Sequence, residues 1–186
     1  MKDNQRFNQL KDHYLKESSF NDSEIHEYRN NYYLLIDRGY ESIDEGDFNQ
    51  AFRLFSLGAT INDTDPEILN GLGISLCELG KLEESLIILE HTIEIIPDDA
   101  ITMANMAGVC WELEEYDRAI YFYTKSIDLD EDLEESFFNL INLYLETGAQ
   151  YMAFIICNKL IDKYPKNEEA KELMEDIILS LAVSLY

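Results

Sequence analysis

The stretch from Pro66 to Asp99 reads PEILNGLGISLCELGKLEESLIILEHTIEIIPDD. Apolar residues recur through it at i, i+3, i+4 and i+7, the period of a helix with one buried face. Gly80 interrupts the pattern at the fifteenth position, and Gly is the residue that closes a helix end in a left-handed turn. Pro97 then stops the second run, because proline cannot continue a helix. The stretch is a pair of helices joined by a tight turn.

The same pattern recurs on both sides at a period of 34 residues. Rows beginning at Tyr32, Pro66, Ala100 and Glu134 align without a gap. The eighth column holds Gly39, Gly73, Ala107 and Ile141, and the fifteenth holds Gly46, Gly80, Glu114 and Gly148. The seventeenth holds Phe48, Leu82, Tyr116 and Gln150, and the twentieth holds Ala51, Ser85, Ala119 and Ala153. The twenty-fourth holds Phe55, Leu89, Tyr123 and Cys157, and the thirty-second holds Asp63, Pro97, Glu131 and Pro165. Small residues at columns eight and twenty let the two helices of a row approach closely. The larger residue at column twenty-four fills the space within the pair.

With these columns in fixed register, the chain resembles the tetratricopeptide-repeat family from Tyr32 to Asn167. The best segments are Leu72-Gly73, Gly80-Lys81-Leu82, Ser85 and Pro97, and then Glu115-Tyr116-Asp117-Arg118-Ala119-Ile120. The departures are single positions: no proline ends row one, Glu114 replaces a turn glycine, and Ile141 occupies a small-residue column. The resemblance implies an all-α fold, an α-α superhelix of about four helix hairpins over 32–65, 66–99, 100–133 and 134–167. An N-terminal helical segment, 1–31, precedes it, and a C-terminal capping helix, 168–186, follows. Such arrays need caps, since an end repeat otherwise leaves an apolar face open.

The flanks carry their own signals. Ser23 is the expected N-cap of a helix with Glu24 and Glu27 in its first turn. Ile25, Tyr28, Tyr32, Leu35 and Ile36 continue an apolar stripe into row one. Phe7, Leu10, Tyr14 and Leu15 predict a short mobile helix. After Pro165, Ala170, Leu173, Met174, Ile177, Ile178, Leu181 and Leu185 predict the cap. The end from Ile177 to Tyr186 is apolar on more than one face, so it either packs deeply or forms a homodimer contact.

Composition narrows the function. The hydrophobic share of 46% suits a folded chain, and three prolines with eight glycines suit a helical one. The formal net charge is −24, from 38 acidic and 14 basic residues. Such a surface repels nucleic acid and anionic lipid, which both need Lys and Arg. Between Pro66 and Asn158 the basic residues are Lys81, Arg118 and Lys125 only. A basic or apolar protein segment is the favoured partner, although acidity also serves solubility alone. No signal peptide, and no apolar run of about 18 residues that would span a membrane, is present, so a cytoplasmic location is expected. Cys77, Cys110 and Cys157 lie in helical patterns without CxxC spacing and read as reduced thiols.

No catalytic motif emerges, so the chain is read as a non-enzyme that needs no cofactor or metal. His13, His26 and His91 stand in no triad spacing. Gly71-Leu72-Gly73 lacks the preceding strand and third glycine of a dinucleotide loop, and column eight explains Gly73. Asp128, Asp130, Asp132 and Glu135 resemble the start of a calcium loop. Leu133 and Asn139 stand where that loop needs its glycine and its final glutamate. Trp111, the one tryptophan, is either core or groove.

In the family, columns two, five, nine and twelve of each first helix line a concave groove. Carried over, these are Tyr33, Ile36, Tyr40 and Ile43; Glu67, Asn70, Ile74 and Cys77; Ile101, Ala104, Gly108 and Trp111; Glu135, Phe138, Asn142 and Leu145. The resemblance implies a peptide-binding lane in which Asn side chains pair with an extended backbone. Pockets between Tyr40, Trp111 and Phe138 would take side chains. The other reading is that half of these residues face neighbouring helices. No Lys or Arg occupies the columns, so the carboxylate-gripping mode of some family members is not expected. The stretch Tyr40–Ile120, with Gly46-Asp47-Phe48, Ala51, Phe55 and Gly71-Leu72-Gly73, is also similar to class II chaperones of type III secretion. The alternative function is a scaffold in a larger assembly, using the convex face or the C-terminal helix.

Overall fold

The computed structural model describes residues 2–17, 20–130 and 132–183. Those residues form helices and connecting turns, with no strand among them. The helices are α1 (Lys2–Glu17), α2 (Asp22–Asn30), α3 (Tyr32–Asp44), α4 (Phe48–Ile61), α5 (Pro66–Glu78) and α6 (Leu82–Ile95). They continue with α7 (Ala100–Glu112), α8 (Tyr116–Leu129), α9 (Glu134–Glu146), α10 (Gln150–Lys163) and α11 (Glu168–Val183). The architecture is an all-α superhelix of helix hairpins with an N-terminal helical segment and a C-terminal capping helix. Leu185 and Tyr186 lie outside the described residues.

The turns follow the sequence columns. Gly46, Gly80 and Gly148 take φ of 75°, 72° and 76°, and Glu114 in the same column is forced to 59°. Positive φ costs an L-residue other than Gly about 1 kcal/mol, so row three carries a strain that the other rows lack. Acidic caps start three helices. Asp47 accepts from Gln50 N, Asp65 from Glu67 N and Ile68 N, and Asp99 from Thr102 N. At α2 the cap is Asn21 rather than the expected Ser23. Its side chain accepts from the N–H groups of Ser23 and Glu24, while Glu24 accepts from Asn21 N at 2.9 Å. The reciprocal pair satisfies two otherwise orphaned donors, which Ser23 cannot do from inside the helix.

Within each hairpin, column eight meets column twenty-four. A Cβ on Gly39 would stand 2.5 Å from the Phe55 ring, and one on Gly73 would stand 2.7 Å from Leu89. Row four inverts the sizes: Ile141 stands at column eight and Cys157 at column twenty-four, both fully buried. The pair keeps its volume, which is why the large residue is tolerated. Gly71 also belongs to this packing. Its Cβ would stand 2.3 Å from Phe55, so the ring sits against two first helices at once.

Curvature follows from which helices touch. α5 lies against both α3 and α7, whereas no contact of like extent joins α4 to α6 or α6 to α8. The first helices of the first three hairpins, α3, α5 and α7, therefore form the tighter, inner rank, and the second helices splay outward. α1 lies across the splayed pair, packed on α4 and α6. It is docked, not the mobile segment the sequence suggested. Phe7 is buried and stacks on His91 with ring centroids 3.8 Å apart, and Tyr14 meets Phe52 edge-on at 4.8 Å. Lys11 bonds Asp63 at 2.5 Å. Burying each ring is worth about 2–3 kcal/mol, enough to hold a helix that has little stability alone.

Candidate functional site

The inner rank places the groove residues in three groups. Ile36 and Asn70 face the interior. Ile36 is part of the apolar core. Asn70 donates to Thr102 Oγ1 at 3.0 Å and accepts from Asn105 Nδ2 at 3.0 Å. Its amide is fully engaged in joining α5 to α7, so it is not free to pair with a peptide. Tyr33 and Asn142 are exposed, Tyr33 to 76%. Tyr40, Ile43, Ile74, Cys77, Ala104, Trp111, Phe138 and Leu145 are half-buried, with one side packed and one open.

Two of these side chains are held in place by polar contacts. The Tyr40 hydroxyl donates to the Glu67 carbonyl at 3.0 Å, and its ring meets Phe55 edge-on. Burial, then the negative charges of Glu67, Asp65 and Asp99, push its phenol up to about 12. Trp111 Nε1 donates to Glu146 Oε2 at 2.9 Å, and its ring stands perpendicular to Tyr123 at 6.3 Å. Trp111 is thus anchored across two hairpins with its indole partly in solvent.

A cleft of about 450 Å³ opens beside Trp111, lined by Cys77, Glu78, Gly80, Leu82, Gly108, Trp111, Glu112, Tyr123 and Asn139. It brings together Cys77, Gly108 and Trp111 of the expected groove columns but neither Tyr40 nor Phe138. Its other walls, Glu78, Gly80, Leu82, Glu112, Tyr123 and Asn139, lie outside the groove columns of the sequence reading. One signal for them was available. Column thirteen, the last residue of each first helix, holds Asp44, Glu78, Glu112 and Glu146. A carboxylate thus recurs once per row, and all four are exposed. Helix C-termini already carry partial negative charge, so this edge of the inner face is strongly anionic.

The three cysteines are free. Burial is the main cause that pushes each thiol up, Cys77 and Cys110 to about 11, with Glu78 and Glu112 adding to the effect at Cys77. Protonated thiols are poor nucleophiles and poor metal ligands. Among the described residues, no group of three or more His, Cys, Asp or Glu could hold a metal ion. No helix among them is long and apolar enough to cross a membrane.

Residues 65–132 match the Tetratricopeptide repeat family model. That segment carries hairpins α5–α6 and α7–α8, the two that flank the cleft. By sequence the chain is 27% identical over 146 residues to the Arabidopsis thaliana protein named Protein CTR9 homolog, covering 75% of this chain. It spans only 13% of that relative's length. Solved structures share the fold. MamA from Desulfovibrio magneticus superposes with a TM-score of 0.61 at 17% identity, covering 72% of this chain and 76% of that one. The APC/C hetero-tetramer Cut9-Hcn1 gives 0.67 at 17% identity, covering 77% of this chain and 29% of the other. The tetratricopeptide repeat matched by residues 65–132 is a fold that suggests protein interaction or scaffolding.

Proposed function

We propose that residues 32–167 act as one protein-binding array that holds an extended segment of a partner against the inner rank of helices. The observation that carries this is the open half of Tyr33, Tyr40, Ile74, Trp111, Phe138 and Leu145, none of which is capped by the chain's own N-terminal helix. α1 is docked on the opposite, splayed side. Exposed aromatic anchors beside partly buried apolar ones are what a bound peptide desolvates. The anionic edge favours an apolar segment with basic residues and disfavours nucleic acid. In its most specific form the reading is a chaperone of class II type III secretion, and that form rests on the sequence resemblance of Tyr40–Ile120 alone.

A second reading, a scaffold gripping through its outside, is favoured by a separate observation. Tyr121 on α8, Tyr151 and Ile155 on α10, and Leu179 on α11 are exposed large apolar residues, Tyr151 to 67% and Leu179 to 65%. Site-specific photocrosslinking in the cell that makes the protein separates the two. A crosslinking amino acid at Tyr33 is expected to capture the partner, and one at Tyr121 or Tyr151 is not. Capture only from Tyr121 and Tyr151 would overturn the groove reading in favour of the scaffold.

A further inference from the structure

We propose that the outer groove between α8 and α10 is a helix-docking site, and that its occupant is an amphipathic helix of a partner protein with a carboxylate beside its apolar face. The inference uses a different surface from the inner-rank reading above and stands without it. Its template is already in the molecule. α1 lies across α4 and α6. Phe7 stacks on His91, Tyr14 meets the Phe52 ring edge-on, and Leu10 packs on the same core. Phe7, Leu10 and Tyr14 stand at i, i+3 and i+7, along one face of a helix. The 34-residue period carries this groove two rows on, from α4 and α6 to α8 and α10. In the groove between, α6 to α8, Arg118 reaches across to Glu90 at 4.0 Å.

Matching columns of the two grooves share apolar chemistry and differ in exposure. Column twenty-one is Phe52 on α4 and Ile120 on α8, and column twenty-two is Ile87 on α6 and Ile155 on α10. Ile87 packs on the core that α1 joins, whereas Ile155 is 41% exposed, with Met152 at 39% one turn before it. Column twenty-five is Ser56, buried, and Thr124, exposed. The second groove thus bares the positions that a helix covers in the first. Column twenty-six changes the chemistry: His91 receives the Phe7 ring, and Lys159 stands in its place. Lys159 is exposed, lies 5.6 Å over the Phe137 ring and has no carboxylate partner among the described residues. A helix seated as α1 is would cover that ammonium, and a covered ammonium without a counter-charge is costly. An acid on the incoming helix removes the cost. The α1 of a second copy does not, since it brings Phe7 to that column. Charge complementarity therefore selects a partner's acidic helix. Tyr151, at column eighteen, matches Glu83, which stays exposed beside α1, so that crosslinking position lies outside this groove.

The test uses the full chain and a displayed library of helices of α1's length. Apolar anchors are fixed at the spacing of Phe7, Leu10 and Tyr14, and the other positions are random. Selected helices are expected to carry Asp or Glu next to an end anchor. Their affinity should fall about tenfold or more on Ile155→Ser, which removes apolar cover. Lys159→Glu should cost a similar factor. Exchanging the helix acid for Lys should restore binding to Lys159→Glu, a reversal that lost packing alone cannot produce. Both positions are exposed, so the variants fold, and circular dichroism verifies it. Selected helices without an acid, helices indifferent to Ile155→Ser, or an empty selection would overturn the site. Self-association of the chain in analytical ultracentrifugation, abolished by Ile155→Ser, would overturn it too, because a second copy would then be the occupant. None of these outcomes touches capture from Tyr33, so the inner-rank reading stands or falls separately.

Discussion

α4 and α10 hold the same place in the first and last hairpins, yet they are buried very differently. α4 buries Ala51, Phe52, Leu54, Phe55, Ser56, Leu57, Gly58 and Ala59, most of its circumference. α10 buries only Ala153, Cys157 and Leu160, a single stripe. The aligned columns show the cause: Ser56 and Leu57 stand where α10 has Asn158 and Lys159. A helix apolar on several faces needs several covers, and α1 supplies the extra one for α4. The outside of the array is therefore closed over its first half and bare over its second. Of the apolar cores, one runs from α1 to α6 and one from α7 to α11, with a small third cluster of Leu89, Met106 and Val109 bridging α6 and α7.

The strongest way to break this contrast is to remove the cover. Phe7→Ala deletes a buried ring and its stack on His91, and is expected to cost about 3 kcal/mol or more. Urea unfolding measures the loss, and hydrogen exchange locates it: protection should fall in α1, α4 and α6 and hold in α10 and α11. Equal loss along the whole array would mean that the two halves are one cooperative unit.

The next test concerns the seam between the halves. Asn70, Asp99, Thr102 and Asn105 form a hydrogen-bonded cluster joining α5 to α7. Asn70→Ala leaves buried partners unsatisfied and should cost about 2 kcal/mol. Because each hairpin touches only its neighbours, weakening one seam also lowers cooperativity. Trp111 fluorescence, which reports the second half, should then melt apart from helicity by circular dichroism. Coincident transitions would argue that the seam is carried by apolar packing instead.

A smaller effect of opposite sign is expected in the second half. Glu114→Gly relieves the positive φ that Gly46, Gly80 and Gly148 adopt freely in the other rows. The gain should be about 0.5–1 kcal/mol, net of the added freedom of glycine in the unfolded chain. No change in melting midpoint would show that Glu114 is compensated elsewhere in its turn.

The repeat was legible because it is written in backbone and packing requirements: a turn that needs glycine, a helix pair that needs one small and one large residue. The α-helical hairpins, their turns and the capping helix follow from those columns. The docking of α1 was not legible, although α4's second apolar face at Phe52 and Leu57 called for a cover. A helix face states that something must pack on it, not which segment does. The site was legible only in part. Column positions alone could not separate buried Asn70 from half-open Ile74, since both lie near the edge of an inner face. The acidic column thirteen repeats as plainly as the glycines, but it falls outside the four family groove columns. Tyr123 was assigned to the space within its hairpin, where its ring is buried, yet it also lines the cleft beside Gly108.

The smallest expected effect tests how α1 is held at its polar edge. The hydrogen bond from Lys11 holds the Asp63 carboxyl below its ordinary value, against a smaller opposing effect of burial. A carboxylate with a depressed folded value contributes stability that is complete above its unfolded value, about pH 3.9, and is lost as pH falls through the folded one. Acidification below about pH 4 should therefore loosen α1 first. The Asp63 side chain is 44% exposed, so solvent screening keeps the contribution under about 1 kcal/mol. Hydrogen exchange of residues 2–17 against pH, compared with Asp63→Asn, isolates the effect. The wild type should lose protection on acidification more steeply than the variant, whose exchange is already faster at neutral pH. Parallel profiles would mean that Phe7 and Tyr14 hold α1 unaided. The closed outside of the first half would then be purely a matter of apolar cover, with the ion pair fixing the angle of the helix and not its stability.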